Sequence, residues 1–193
     1  MPIAPPNLLG ICGAPSTGKT TLARLLHREL TALGVECALL GEPARELAPQ
    51  GVRIDAAMQP EDYETFLNAY LARDAGCAVL GVADRTPVDH YSYLAANRGL
   101  APEFMLRHHD AALGALSRYR ALLYLPPRLR LVDDRFRITD QAYRDALDTA
   151  IRALLRGARV PVFSVTGPRP VRLAAALAVV REHWPELVAA AMG

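Results

Sequence analysis

The sequence predicts an α/β fold, a five-stranded parallel sheet with helices on both faces in three layers. Three observations predict it. Short apolar runs of strand length alternate along the 193 residues with longer stretches of helical periodicity, the pattern of strands joined by helical crossovers. The first run feeds directly into a glycine-bearing loop and then an amphipathic helix. Polar residues gather just after the runs, where open parallel sheets bind their ligands.

Leu8 to Cys12 is apolar throughout and reads as a strand buried on both faces. After the loop, Leu22, Leu25, Leu26, Leu30 and Leu33 recur at helical spacing, so a helix is expected over 19–33, stopped by Gly34. A second strand is expected over 35–40 and a helix over 60–75, with Asp62 and Glu64 near its start. The third strand is read over 77–83, followed by helices over 87–97 and 102–119. The fourth strand, 121–125, is halted by Pro126-Pro127. An Arg-rich stretch leads to a helix over 140–156 ended by Gly157. A fifth strand over 160–165 and a helix over 171–184 complete the pattern. No internal repeat or low-complexity segment is present, and one domain is expected over 1–193.

The loop Gly13-Ala14-Pro15-Ser16-Thr17-Gly18-Lys19-Thr20 has the form G-x-x-x-x-G-K-[ST]. It lies between a strand and a helix, the context this motif requires. Lys19 is the only lysine among 22 basic residues, and it stands where a compact charge meets phosphate oxygens. The wide planar fork of arginine fits that place poorly. Gly13, Ala14, Pro15, Ser16, Thr17, Gly18, Lys19, Thr20 and Thr21 are therefore the nucleotide-binding residues. Their backbone N–H groups cradle a β-phosphate, Lys19 reaches the β/γ oxygens, and the Thr20 hydroxyl is a ligand for Mg²⁺. The helix opening at Gly18 points its positive end at the phosphates. The fold expected is thus the P-loop NTPase three-layer fold, with ATP and Mg²⁺ as its ligands.

The strand ends supply further candidates. The second strand ends at Gly41-Glu42-Pro43-Ala44-Arg45-Glu46 and the third at Asp84-Arg85-Thr86-Pro87-Val88-Asp89. Asp84 is the better candidate to hold Mg²⁺; the bland alternative is a carboxylate capping the next helix. Glu42 is a candidate base for an attacking hydroxyl, against an exposed turn residue before proline. The sequence does not separate the two roles. Arg45 and Arg85 are candidates for substrate or phosphate. Arg128, Arg130, Arg135 and Arg137 lie between the fourth strand and the following helix, in a lid expected over 126–139. Arg135 and Arg137, nearest that helix, are the favoured catalytic pair for the transferring phosphoryl group. Tyr63, Phe66 and Tyr70, or His90, Tyr91 and Tyr93, are placed either to stack on a ring-shaped acceptor or to pack in the core. His108-His109 lacks a partner motif and reads as surface.

These residues carry a resemblance. Gly13 to Thr21, the Glu42-Pro43-Ala44-Arg45-Glu46 segment and the Asp84-Arg85-Thr86-Pro87-Val88-Asp89 segment resemble the AAA-type ATP-binding domains related to nicotinamide riboside kinases. They also resemble the wider nucleoside and nucleotide kinases. The resemblance runs over nearly the whole chain in order. It implies an acid acting near the acceptor hydroxyl after the second strand, an acid-arginine pair after the third, and an Arg-bearing lid after the fourth. It places adenine at Ser164-Val165-Thr166-Gly167. The expected activity is transfer of the γ-phosphoryl of ATP·Mg²⁺ to a small nucleoside- or nucleotide-like acceptor. The alternative is a nucleotide-dependent switch or regulatory ATPase acting on a protein partner. The lid of this chain, Val132-Asp133-Asp134-Arg135, lacks the glycine that family lids often carry beside the acids.

Composition narrows the remaining classes. A formal net charge of +2 and no basic face with interleaved aromatics argue against nucleic acid. No apolar stretch is long enough to span a bilayer, and the N-terminal residues lack a signal-peptide pattern. Cys12, Cys37 and Cys77 are odd in number and widely spaced, as expected of free buried thiols in a reducing compartment. A cytoplasmic protein is expected, with a homodimer left open.

Overall fold

A computed structural model describes residues 7–52, 58–97, 99–127 and 141–187. The strands are β1 (Leu8–Cys12), β2 (Cys37–Leu40), β3 (Leu80–Asp84), β4 (Tyr119–Tyr124) and β5 (Val162–Ser164). They form one sheet in the order β2-β3-β1-β4-β5, and every neighbouring pair is parallel. The helices are α1 (Lys19–Ala32), α2 (Pro43–Leu47), α3 (Pro60–Ala75), α4 (Pro87–Ala96), α5 (Pro102–Ala115), α6 (Gln141–Gly157) and α7 (Arg169–His183). The five-stranded parallel sheet and flanking helices expected from the sequence are both present.

The two-residue period of the strands divides the core. Leu9 and Ile11 face Leu22, Leu26 and Leu30 of α1 and Ala176, Val179 and Val180 of α7. Leu8 and Cys12 face the opposite layer, where Val88 of α4, Ala112 of α5 and Ile151 and Leu154 of α6 pack. The central strand is therefore apolar on both sides because both sides are covered. A smaller cluster of Met58, Tyr63, Phe66 and Leu94 joins α3 to α4.

Element ends depart from the sequence reading for local reasons. β2 starts at Cys37 rather than Val35 because the Val35 amide closes α1, donating to the Leu30 carbonyl at 3.0 Å. β3 starts at Leu80 rather than Cys77. The Asn7 side chain takes the Cys77 and Val79 carbonyls at 2.9 and 2.8 Å, so this stretch is held by a side chain instead of the ladder. α5 stops at Ala115 and a 3₁₀ turn over Leu116–Arg118 leads straight into β4. The Glu42–Glu46 segment, read as a strand exit, opens a short helix with Pro43 at its first position.

Side-chain expectations also need revision. His108 is buried at 1% exposure, not at the surface. Its Nδ1 donates to the Phe104 carbonyl at 2.9 Å, and its ring lies 4.2 Å from that of Phe104. Tyr63, Phe66 and Tyr70 are buried and surround His90 with ring centroids about 6 Å away, so they pack the core rather than offer a stacking face. Of the three cysteines, Cys12 is buried while Cys37 and Cys77 are half-buried. Burial pushes the Cys12 thiol well above its ordinary range, so it behaves as a small core residue. No helix among the described residues is long and apolar enough to cross a membrane.

His90 gives a stability prediction. Burial, with His108 nearby, pushes its pKa down to about 3. An unfolded chain takes up the proton near pH 6.5, whereas the folded chain does so only near 3. Stability is therefore full above pH 6.5 and is lost as pH falls from 6.5 towards 3. The linkage amounts to about 2 kcal/mol between pH 7.5 and pH 5. Chemical denaturation of wild type and His90→Phe at these two pH values should show this extra loss in wild type only. An equal loss in both would mean that His90 is not held neutral.

Candidate active site

β1 ends at Cys12 and the chain enters the phosphate loop. Gly13, at φ 149°, and Gly18, at φ 92°, bracket it in backbone conformations that favour glycine. Ser16 also adopts positive φ, at 60°, which curls successive amides around one concavity. α1 begins at Lys19, so its unpaired first-turn amides open onto the same recess. That recess, open to solvent, is lined by residues 16–21 together with Arg85. All nine sequence-predicted loop residues are thus gathered around β1 and the start of α1.

Lys19 is turned inward and only 5% exposed. Its Nζ donates to the Gly13 and Ala14 carbonyls at 2.5 and 2.8 Å and stands 3.7 Å from Asp89 Oδ1. Burial and the Arg85 charge pull its pKa down to about 8, against the attraction of Asp89, Glu42 and Asp84. Asp89, quoted in the sequence only as the end of a motif, proves central. Its Oδ1 accepts from the Gly13 amide at 3.1 Å, and its Oδ2 accepts from the Thr86 amide and hydroxyl at 2.9 and 3.1 Å. The second of these pairs is a capping box at the start of α4. One buried carboxylate therefore caps α4, fixes the first residue of the phosphate loop and faces its lysine. The Thr86-x-x-Asp89 spacing was the sequence signal for the cap; nothing local signalled the contact with Gly13.

The α4 cap is Thr86 and Asp89, so Asp84 is not used for capping. Asp84 is the last residue of β3, beside Ile11 of β1. It is 4% exposed, and among the described residues its Oδ1 is buried without a hydrogen-bond partner. A buried carboxylate oxygen rarely lacks a partner, and an unclaimed anionic oxygen beside the loop suits a hard cation such as Mg²⁺. Thr20 lines the recess and Asp84 lies close enough to Lys19 to act on its charge, so a hydroxyl and a carboxylate, donor types that suit that ion, are both present near the loop.

Glu42 is likewise no solvent-facing turn residue. Its Oε1 accepts from Arg85 Nε at 2.7 Å, and its Oε2 is 3.5 Å from Arg45 Nε. Arg85 adopts φ 71°, a left-handed conformation costly for a residue that carries a Cβ. Its Nη1 donates to the Tyr93 hydroxyl at 3.1 Å. Arg85 therefore lines the phosphate recess and grips Glu42 together, while Arg45 remains largely exposed. The fourth-strand candidates Arg128, Arg130, Arg135 and Arg137 lie outside the described residues.

Sequence reasoning missed a second long-range strut. Arg172, in the first turn of α7, donates from Nε to the Gly167 carbonyl at 2.7 Å and from Nη1 to the Thr17 carbonyl at 2.6 Å. It ties the phosphate loop to the β5 exit, where the resemblance places adenine.

Known proteins share this framework. A NadR protein in complex with NR superposes with a TM-score of 0.71 at 20% identity, over 92% of this chain and 51% of that one. A NadR protein in complex with NAD and AMP-PNP gives 0.68 at 20% identity, over 92% and 49%. The deoxyadenosine kinase from M. mycoides with bound dCTP gives 0.64 at 14% identity, over 91% and 99%. The chain thus spans about half the length of the NadR chains and nearly all of the deoxyadenosine kinase. At these identities the likeness is one of fold. No curated protein matches the chain. Residues 9–172 match the family described as AAA domain, a span that runs from β1 through the phosphate loop to the Arg172 strut. By that match and by its parallel sheet, the chain belongs to the AAA-domain family and has the P-loop kinase fold.

Proposed function

We propose that this protein is an ATP-dependent kinase that transfers the γ-phosphoryl group from ATP·Mg²⁺ to a hydroxyl or phosphate of a small nucleoside- or nucleotide-like acceptor. The observation that carries the reading is the placement of Arg85. It lines the phosphate recess with residues 16–21 and, 2.7 Å from its Nε, holds the carboxylate of Glu42. A phosphate cradle and an acid are thereby joined at one opening, as transfer to an acceptor requires.

In this reading the loop amides and Lys19 bind the β/γ oxygens. Thr20 and Asp84 would hold Mg²⁺, which when bound would neutralise charge on those oxygens. Glu42 accepts the proton of the acceptor hydroxyl as that oxygen bonds to Pγ and the bond from Pγ to the bridging oxygen breaks, leaving ADP. Arg85 orients Glu42 and faces the charge that spreads over the transferring group. Arg45 extends the cationic rim towards the acceptor. The nucleotide fits between the loop and the β5 exit, which Arg172 fastens together.

The test is a screen of nucleosides, nucleotides and small alcohols for ADP release in the presence of Mg²⁺. One chemical class should accelerate release at least ~10-fold over the acceptor-free rate. If ATP binds tightly but no acceptor raises turnover, the kinase reading fails and a nucleotide switch working through a protein partner takes its place.

A further inference from the structure

The carbonyls of Gly41, Asp84 and Arg85 lie at or just past the last paired residues of β2 and β3, which are Leu40 opposite Ala83 and Asp84 opposite Ile11. All three turn to one guanidinium. Arg73, in the last turn of α3, donates from Nη1 to the Gly41 carbonyl at 2.9 Å and to the Asp84 carbonyl at 3.4 Å. From Nη2 it donates to the Arg85 carbonyl at 3.1 Å. These are the residues that carry or immediately precede the acid and the arginine of the transfer site.

The guanidinium is itself held in place. Asp74 Oδ1 accepts from Arg73 Nε and Nη2 at 2.9 and 2.7 Å. Asp74 is fully buried, and its Oδ2 accepts from the Tyr119 hydroxyl at 2.5 Å. Tyr119 opens β4, and its hydroxyl also accepts from Arg73 Nη2 at 3.3 Å. The Tyr70 ring lies 4.9 Å beneath the guanidinium carbon. A planar fork with five donors meets this set of acceptors; an ammonium cannot. The arrangement also grips Arg85 at both ends of its unfavourable backbone conformation. Its amide donates to the Ile11 carbonyl at 3.1 Å, and its carbonyl receives Arg73.

We propose that Arg73, anchored by Asp74 and Tyr119, is a positioning residue that clasps the ends of β2 and β3 and so sets how Glu42 and Arg85 stand to each other and to the phosphate loop. Its functional consequence rests on the kinase reading; the clasp itself does not. Arg73 touches backbone only at the site and takes no part in the chemistry. Its loss should loosen the acceptor side and leave the nucleotide side intact.

Hydrogen exchange on the full chain tests the clasp without any assay of activity. In Arg73→Met, the amides of Glu42, Ala44, Arg45, Glu46 and Arg85 should exchange about tenfold faster, while the amides of the phosphate loop and α6 keep wild-type protection. Arg73→Lys keeps a cation against buried Asp74 and so protects the fold, yet should show the same local loosening. Unchanged exchange at Glu42, Ala44, Arg45, Glu46 and Arg85, or an equal increase across the domain, overturns the proposal. In steady-state kinetics, Arg73→Met should lower kcat/KM for the acceptor by about 10- to 100-fold, the cost of misplacing reacting groups. The KM for ATP should change less than about threefold. In a Glu42→Gln background the same substitution should cost under about threefold, because its target is already gone. Equal costs in both backgrounds would overturn the positioning role. If no acceptor stimulates the wild type, the kinase reading falls, and the exchange experiment alone decides on the clasp.

Discussion

Lys19→Ala should leave the far-ultraviolet circular dichroism unchanged and slow phosphoryl transfer by roughly 10³-fold or more, the scale of removing a preorganised charge from such a site. Lys19 is buried, yet its partners are loop carbonyls and Asp89 rather than a core network. Asp89 keeps its bonds from Gly13 and Thr86 when the ammonium is removed. Alanine also suits the first turn of α1. The loss therefore falls on phosphate binding and on the charge that builds between β- and γ-phosphates, not on folding. Lys19→Arg should not rescue transfer, because a planar fork cannot occupy the narrow space between the Gly13 and Ala14 carbonyls. Single-turnover transfer with saturating ATP is the measurement. Wild-type rates in Lys19→Ala would remove the loop from the chemistry.

The second large effect separates two acids that the sequence left interchangeable. Glu42→Gln should lower kcat with acceptor by about 10²- to 10⁴-fold, the usual contribution of a positioned base. The KM for ATP and the Mg²⁺ requirement should stay near wild type, since among the described residues the Glu42 carboxylate is ion-paired with Arg85 and Arg45. Asp84→Asn should instead raise the Mg²⁺ concentration needed for half-maximal activity by about tenfold or more, because its unpartnered Oδ1 is the oxygen offered to the ion. Magnesium titrations of both variants read the difference directly. If Asp84→Asn behaved as the base variant and Glu42→Gln as the metal variant, the two roles would have to be exchanged.

The fold was legible because its determinants are local. Short apolar strands, the periodic leucines of α1 and the proline starts of α3, α4 and α5 each announce their element within one window of sequence. The phosphate loop was legible for the same reason: eight consecutive residues encode both its backbone turns and its charge. What escaped were contacts made across the chain. Asp89 reaches Gly13 from 76 residues away and Arg172 reaches Thr17 from 155 residues away. Arg73, at the end of α3, carries no local signal of the three carbonyls that β2 and β3 bring to it. His108 was misjudged because the helices that bury it come from distant sequence. The start of β3 shifted because Asn7, more than 70 residues earlier, competes for its carbonyls.

The inward-turned ammonium of Lys19 bears on which anions the protein admits. With two carbonyls and a carboxylate already around it, the cation is engaged, and any incoming anion must displace those oxygens. An anion that meets only the ammonium gains little from that exchange. A tail of linked phosphates presents several oxygens at once to the surrounding amides and tips the balance. On the kinase reading, such a tail would free the ammonium from its resting partners as it binds.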